Sequence, residues 1–172
     1  AIMQAKPQVA DFINFYLTFV NDEITEVGYF PASESAIAEA KAAWTAAMGG
    51  EDMSMEASEE TTSMLPVVDP LSISGDIVTA GSSTVFPLTE RIAERFQDEG
   101  YAGQITIDSI GTGAGFERFC DAGETDISNA SRAIKEEEIA NCAALTPPRT
   151  PVEFRVGTDA LAVAVSAEND FA

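Results

Sequence analysis

The sequence has no histidine, nine lysine and arginine residues, and two cysteines in 172 residues. Without histidine, the chain lacks the most common general base and the most common metal ligand in proteins. Its 29 acidic residues give a formal net charge of −20, and such a surface repels nucleic acids and anionic membranes. We therefore expect no nucleic-acid partner, no metal, no cofactor and no enzymatic activity.

Long hydrophobic runs are also missing, because no apolar stretch reaches the roughly 18 residues that a membrane-spanning helix needs. The composition is 45% hydrophobic with ten phenylalanines, which is typical of a soluble globular chain with a real core. The first residues show neither a basic nor an apolar signal-peptide region, and there is no initiator methionine. The chain is expected to be processed or cut from a longer one, with acidity that favours solubility after secretion.

The first part of the chain is predicted to be helical. Apolar residues spaced three and four apart predict a helix over 7–23, and Ser33 or Ser35 can cap a second helix that ends before Gly49. An acidic stretch rich in Met, Ser and Thr follows and reads as a linker. Two basic residues precede Gly75 and seven follow it. We therefore predict a helical segment at 1–48, an acidic linker at 49–74 and a separate unit at 75–172.

Strand and helix patterns alternate in the last unit, which predicts βαβ units and a parallel sheet flanked by helices, an α/β fold. The predicted strands are 76–80, 104–110, 125–130, 152–156 and 161–165, and the predicted helices are 87–99, 115–122 and 135–141. Parallel sheets bind ligands at the carboxyl ends of their strands.

Polar loops follow three of these strands. Gly81-Ser82-Ser83-Thr84 and Gly111-Thr112-Gly113-Ala114-Gly115 each open a helix, where backbone N–H groups and hydroxyls favour an anion. Ser131-Arg132 adds a hydroxyl and a guanidinium group at the third strand end. We expect the three loops to face one small oxyanion. Two alternatives stay open: one hydroxyl of Ser82-Ser83-Thr84 caps the helix while the others are only turn residues, or Arg132 pairs with Glu136.

The pieces AGSSTVFPLTERIAERF, ITIDSIGTGAGFERF and GETDISNASRAIK resemble the first lobe of the substrate-binding proteins of phosphate ABC transporters, which have a two-lobed periplasmic-binding fold. The resemblance implies inorganic phosphate as ligand, an ABC transporter permease as partner, and an extracytoplasmic location that is periplasmic, cell-surface-attached or secreted. The phosphate contacts that it implies are Ser83, Thr84 and the N–H of Val85, then Thr112 and Gly113, then Ser131 and Arg132.

Two positions depart from the family pattern. Well-known members carry an aspartate where Arg132 stands, and that aspartate accepts a hydrogen bond from protonated phosphate and so rejects sulfate. A serine is often found where Gly113 stands, so this chain offers only a backbone donor there.

Residues 1–48 resemble the two C-terminal helices of the same family, so the order of segments is inverted and one lobe of the fold is incomplete. A window across two tandem copies and a permuted lobe both fit this order. The resemblance leaves the second lobe outside the chain, and the helices of 7–48 are expected to dock on the sheet, in this chain or on a neighbouring copy.

Cys120 and Cys142 flank the third predicted strand and its helix, and we predict that they form a disulfide, which is consistent with an exported protein. The alternative is a pair of small buried thiols.

The sequence thus favours a non-enzymatic extracytoplasmic module that captures phosphate for an ABC importer. One alternative is a secreted phosphatase or other hydrolase that uses Ser83 or Thr84 as nucleophile. The other is a surface or adhesion protein that keeps the fold without the ligand.

Overall fold

A computed structural model describes residues 2–50 and 64–160. Its helices and strands are, in chain order, α1 (Ile2–Ala5), α2 (Pro7–Glu23), β1 (Phe30–Pro31), α3 (Glu34–Ala47), a 3-10 turn (Pro70–Ser72), β2 (Ile77–Gly81), α4 (Phe86–Asp98), β3 (Ile105–Ser109), α5 (Thr112–Phe116), a π-helical turn (Glu117–Asp121), β4 (Ile127–Asn129), α6 (Glu136–Ala144) and β5 (Gly157–Thr158).

A three-stranded parallel sheet in the order β3-β2-β4 lies at the centre of the second half of the chain. Its strands alternate with helices α4, α5 and α6, as βαβ connections require. The predicted α/β class, with a parallel sheet flanked by helices, is confirmed. β2 is the central strand and pairs parallel with both neighbours. Because all three strands run in the same direction, their carboxyl ends lie at the same edge of the sheet.

The two helices predicted in the first segment are present. α2 begins at Pro7, which suits a first helical turn because its missing N–H has no partner there anyway. Ser33 caps α3 by accepting a hydrogen bond from the backbone N–H of Ala36 at 3.3 Å. No helix in the described part of the chain is both long and apolar enough to cross a membrane.

α2 and α4 bury their apolar faces against each other and share one core with the sheet. Phe96 of α4 lies between two phenylalanines of α2, with ring-centroid distances of 5.4 Å to Phe12 and 4.9 Å to Phe15. All three rings are at most 1% exposed. The helices of the first segment therefore dock on the sheet unit within the same chain.

An ion-pair cluster borders this core. Glu23 of α2 accepts hydrogen bonds at 2.7 Å from Arg91 and from Arg95 of α4, although only 8% of its side chain is exposed. Burial acts to raise the pKa of Glu23, but the hydrogen bonds from the two arginines outweigh it and lower that pKa. The two arginines, which the helical pattern alone would place in water, tie α4 to α2.

The predicted linker, 49–74, is described only at 49–50 and from residue 64 onward. Leu65, Val68 and Ile73 pack against the core, and the carbonyl of Pro66 accepts a hydrogen bond from the Asn14 side chain at 3.0 Å. Residues 64–74 therefore lie on the surface formed by the helices.

Two predicted elements differ from the structure. The strand predicted at 152–156 is wrong: within the described ranges these residues pair with no strand, and β5 at Gly157–Thr158 instead pairs antiparallel with β1. The helix predicted at 115–122 begins at Thr112 and ends in a π-helical turn. Gly113 sits inside this helix, so a glycine-rich stretch expected to be loop forms its first turn. The strand predicted at 161–165 lies outside the described residues.

The predicted disulfide is present between Cys120 in the π-helical turn and Cys142 in α6, which are 22 residues apart in sequence. Both cysteines are at most 1% exposed. The bond joins α6, which follows β4, to the π-helical turn at the end of α5, which precedes β4. The disulfide therefore links the two segments that follow β3 and β4.

Replacing Phe12 with alanine should destabilise the fold by about 3 to 5 kcal/mol, because it leaves a cavity between α2 and α4. The matched control is Phe30→Ala, since Phe30 is 61% exposed and its loss should change stability by less than about 0.5 kcal/mol. Urea denaturation followed by tryptophan fluorescence measures both. Equal losses for the two variants would contradict the shared core.

Reducing the disulfide should lower the stability of the chain by about 3 kcal/mol, because the unfolded chain then loses a cross-link. Urea midpoints with and without reductant measure this change. Mass spectrometry after alkylation of the native protein is the independent check: two modified thiols without reductant would rule out the bond.

Candidate anion-binding site

The candidate site lies at the edge of the sheet where the three parallel strands end. In the strand register, Gly81 of β2 is opposite Ser109 of β3 on one side and Asn129 of β4 on the other. The three polar loops predicted from the sequence therefore begin next to one another. This is the edge where open α/β sheets bind their ligands.

Gly81 is the junction of the three loops. Its carbonyl accepts hydrogen bonds from the N–H groups of Ile110 at 3.0 Å and Gly111 at 2.8 Å, which fixes the loop after β3. Its φ is +142°, and a Cβ at this position would lie 2.0 Å from the carbonyl oxygen of Asn129. Only glycine fits between the two neighbouring loops.

The first loop is organised by Ser82, which is buried. Its N–H donates to the carbonyl of Asn129 at 2.8 Å, and its hydroxyl oxygen accepts from the N–H groups of Thr84 at 3.2 Å and Val85 at 3.4 Å. The Ser82 hydroxyl thus bonds the turn that leads into α4, whose N-cap residue, Val85, receives no side-chain cap hydrogen bond, so the capping alternative is wrong. The Val85 N–H, a predicted phosphate donor, is shared with this turn, while Ser83 is exposed.

The second and third loops are joined by a direct contact between two predicted site residues. The hydroxyls of Thr112 and Ser131 lie 3.1 Å apart, and the backbone N–H of Ser131 donates to the Thr112 hydroxyl at 3.1 Å. Gly113 is exposed in the first turn of α5. The first N–H groups of a helix have no acceptor within that helix, so this turn can offer backbone donors.

Arg132 does not pair with Glu136, as the sequence alternative had it, but with Glu138 of α6. Two parallel hydrogen bonds join them, Nη1 to Oε2 at 2.9 Å and Nη2 to Oε1 at 2.7 Å. The hydrogen bond from Arg132 and the one from the Lys135 N–H lower the pKa of Glu138 to about 2. The guanidinium group also lies 5.2 Å above the ring of Phe116.

Two cavities border these residues. The larger, about 1180 Å³, has Thr84, Val85, Ser131 and Arg132 in its wall, and the smaller, about 260 Å³, is lined by Gly113 and Arg132 among others. Arg132 is therefore common to both. Among the described residues, Ser83 and Thr112 line neither cavity, and Thr112 reaches the site through its contact with Ser131.

A buried polar chain supports the site from below. The hydroxyl of Tyr16 in α2 lies 3.4 Å from that of Thr89 in α4, which in turn donates to the Asn129 side chain at 3.4 Å. Burial raises the pKa of the Tyr16 hydroxyl, so that group stays protonated. These contacts therefore link α2 to Asn129, the last residue of β4.

Two residues that shape this site, Asn129 and Glu138, were not predicted as site residues from the sequence, whereas Ser82 lies in the first predicted polar loop. Glu138 stands three residues after Lys135, the position from which a glutamate side chain reaches back to the preceding N–H, here at 2.8 Å. Nothing in the sequence singled out Asn129.

The groups that meet at this edge are hydroxyls, backbone N–H donors and one guanidinium, all of which can donate to an oxyanion in place of water. In the described ranges, no group of three His, Cys, Asp or Glu residues is placed to hold a metal ion.

Known proteins resemble this chain. A family model described as a PBP superfamily domain matches residues 32–172. Protein SphX of Synechococcus elongatus is 41% identical over 108 residues, which are 63% of this chain and 31% of that protein. The phosphate-binding protein PstS of Staphylococcus haemolyticus is 40% identical over 99 residues, or 58% of this chain and 30% of that protein. The chain thus spans about a third of the length of these curated relatives.

Two solved structures are also similar. A possible phosphate binding protein from Planctomyces limnophilus shares 46% identity over 42% of this chain and 25% of its own, with a TM-score of 0.41. The phosphate-binding protein of a phosphate ABC transporter from Streptococcus pneumoniae shares 23% identity over 76% of this chain and 40% of its own, with a TM-score of 0.48.

Gly115→Ala should destabilise the chain by about 1 to 3 kcal/mol, because the added Cβ would lie 2.6 Å from the Cα of Gly81 and force α5 away from β2. Gly113→Ala is the matched control two residues earlier, since its Cβ meets no atom within 4 Å. Thermal and urea unfolding compare the two. If both variants were as stable as the parent, the close approach of α5 to β2 would not be a constraint on the site.

Proposed function

Because the chain belongs to the PBP superfamily, we propose that it is a solute-binding module that captures inorganic phosphate. The observation that carries the proposal is the convergence of three polar loops at one sheet edge, where Thr112 and Ser131 touch and Arg132 borders the adjoining space. The printed names of the relatives, which include phosphate-binding proteins, support phosphate over other oxyanions.

The proposed ligand set follows the sequence prediction. The hydroxyls and N–H groups of the first loop (Ser83, Thr84, Val85), the second loop (Thr112, Gly113) and the third loop (Ser131) surround the anion, and Arg132 supplies the positive charge. Hydrogen bonds to a charged group contribute about 1.5 to 3 kcal/mol each, and several of them offset the loss of the anion's water shell. Val85 gives up the long 3.4 Å contact with Ser82 when it binds.

We propose capture without catalysis. A hydrolase would need a general base near Ser83 or Thr84, and the chain contains no histidine. The carboxylate paired with the site arginine, Glu138, has a pKa of about 2 and is therefore a poor proton acceptor.

We place the module outside the cytoplasm, as a component of an ABC importer that passes phosphate to a permease. The buried Cys120–Cys142 disulfide supports an oxidising compartment. We also propose that 1–48, 49–74 and 75–172 are distinct segments, of which the first serves to complete the core of the last.

Arg132→Ala should weaken phosphate binding by more than about tenfold, because it removes the one cation that borders both cavities. Titration calorimetry of the full chain with sodium phosphate measures the affinity. Lys41→Ala is the control: it removes the same charge from α3, outside either cavity lining, and should leave the affinity unchanged. Equal affinities in the parent and the Arg132 variant would refute the assigned site, and no binding by the parent would refute phosphate as ligand.

A further inference from the structure

Arg132, the cation of the proposed phosphate site, is already bound to a carboxylate of its own chain. We propose that Glu138 is an internal competitor of the ligand, which occupies the guanidinium group of Arg132 and thereby limits the affinity of the site. This inference rests on the proposed function.

The pair has the geometry that an incoming oxyanion would need. Nη1 and Nη2 of Arg132 donate to the two carboxylate oxygens of Glu138 at 2.9 Å and 2.7 Å. This parallel, bidentate arrangement is the one in which a guanidinium group recognises carboxylate and phosphate most strongly. Glu138 therefore fills one of the two bidentate donor edges of Arg132.

Glu138 is held in place independently of Arg132. Its Oε2 accepts the backbone N–H of Lys135 at 2.8 Å, and its side chain is 14% exposed. The carboxylate also lies in the first turn of α6, where the partial positive charge of a helix favours an anion. Glu138 is thus a fixed competitor that stays near Arg132 when the guanidinium moves.

The remaining donors of Arg132 are few. Nη1 also donates to the carbonyl of Ala133 at 3.0 Å, which leaves Nε–H and one Nη2–H among the five N–H groups of the guanidinium for an anion. An oxyanion must therefore displace Glu138 or bind at the second edge, formed by Nε–H and Nη2–H, of a cation whose charge is already compensated. Both routes lower its affinity.

Glu138→Gln tests this competition with little change of shape. The amide oxygen can still accept the Lys135 N–H, so the helix cap is kept, while the negative charge that holds Arg132 is lost. We expect phosphate to bind about three- to tenfold more tightly, as the loss of a partly exposed ion pair allows. Titration calorimetry of the full chain with sodium phosphate measures the gain, and a melting curve verifies that the variant is folded.

Two further variants isolate the cause. Glu136→Gln removes the same charge from the same helical turn but from a residue that lines neither cavity, and it should change the affinity by less than about twofold. In an Arg132→Gln background, Glu138→Gln should give no gain, because no guanidinium group remains to be released.

The outcomes separate this inference from the function on which it rests. If the parent binds phosphate and Glu138→Gln binds it equally or more weakly, Glu138 positions Arg132 and does not compete with the ligand. An equal gain in the Arg132→Gln background would also overturn the proposal, since the carboxylate would then repel the anion directly. If neither the parent nor any variant binds phosphate, the proposed function itself fails and the competition fails with it.

Discussion

Burial of α2 against α4 is the interaction on which the rest of the structure depends. Most of the stability of a helix in a protein comes from packing of its apolar face, and the phenylalanines that α2 buries against Phe96 give it a fixed position. The same contact fixes α4, whose first residue follows directly after the loop of Ser82 to Val85. Because Glu23 joins Arg91 and Arg95 at the edge of this core, α4 can neither slide nor rotate freely over α2. The position of the first polar loop thus depends on a helix that ends 59 residues before it in sequence, at Glu23.

A second constraint acts at the sheet edge itself, where backbones must approach more closely than side chains allow. Gly81 leaves room for the carbonyl of Asn129, and Gly115 lets α5 lie against β2. These contacts bring Thr112 within hydrogen-bond distance of Ser131. These two glycines therefore act on the site through the spacing of the loops, whereas an added Cβ at Gly111 or Gly113 would meet no neighbouring atom within 4 Å.

Much of this arrangement follows from local sequence. The spacing of apolar residues predicted α2, α3 and α4, and the alternation of strands with helices predicted the parallel sheet and the edge that its loops share. The errors arose where tertiary contacts decide. Residues 152–156 have a strand-like pattern but pair with no strand in the described part of the chain. The sequence alternative paired Arg132 with Glu136, but the N-terminal geometry of α6 turns Glu138 towards it instead.

Under the proposed function, the site offers one way in which an acidic protein can hold an anion. Its donors already have acceptors within the chain: the Val85 N–H donates to the Ser82 hydroxyl, and the Arg132 guanidinium donates to the Glu138 carboxylate. Under the proposed function, binding is therefore an exchange of internal acceptors for external ones. A planar carboxylate offers two oxygens and can satisfy one loop, whereas a tetrahedral oxyanion offers four and can accept from three converging loops at once. Under the same proposal, a weak or planar anion gains too little to displace these internal acceptors, whereas a ligand that engages several loops together can displace them.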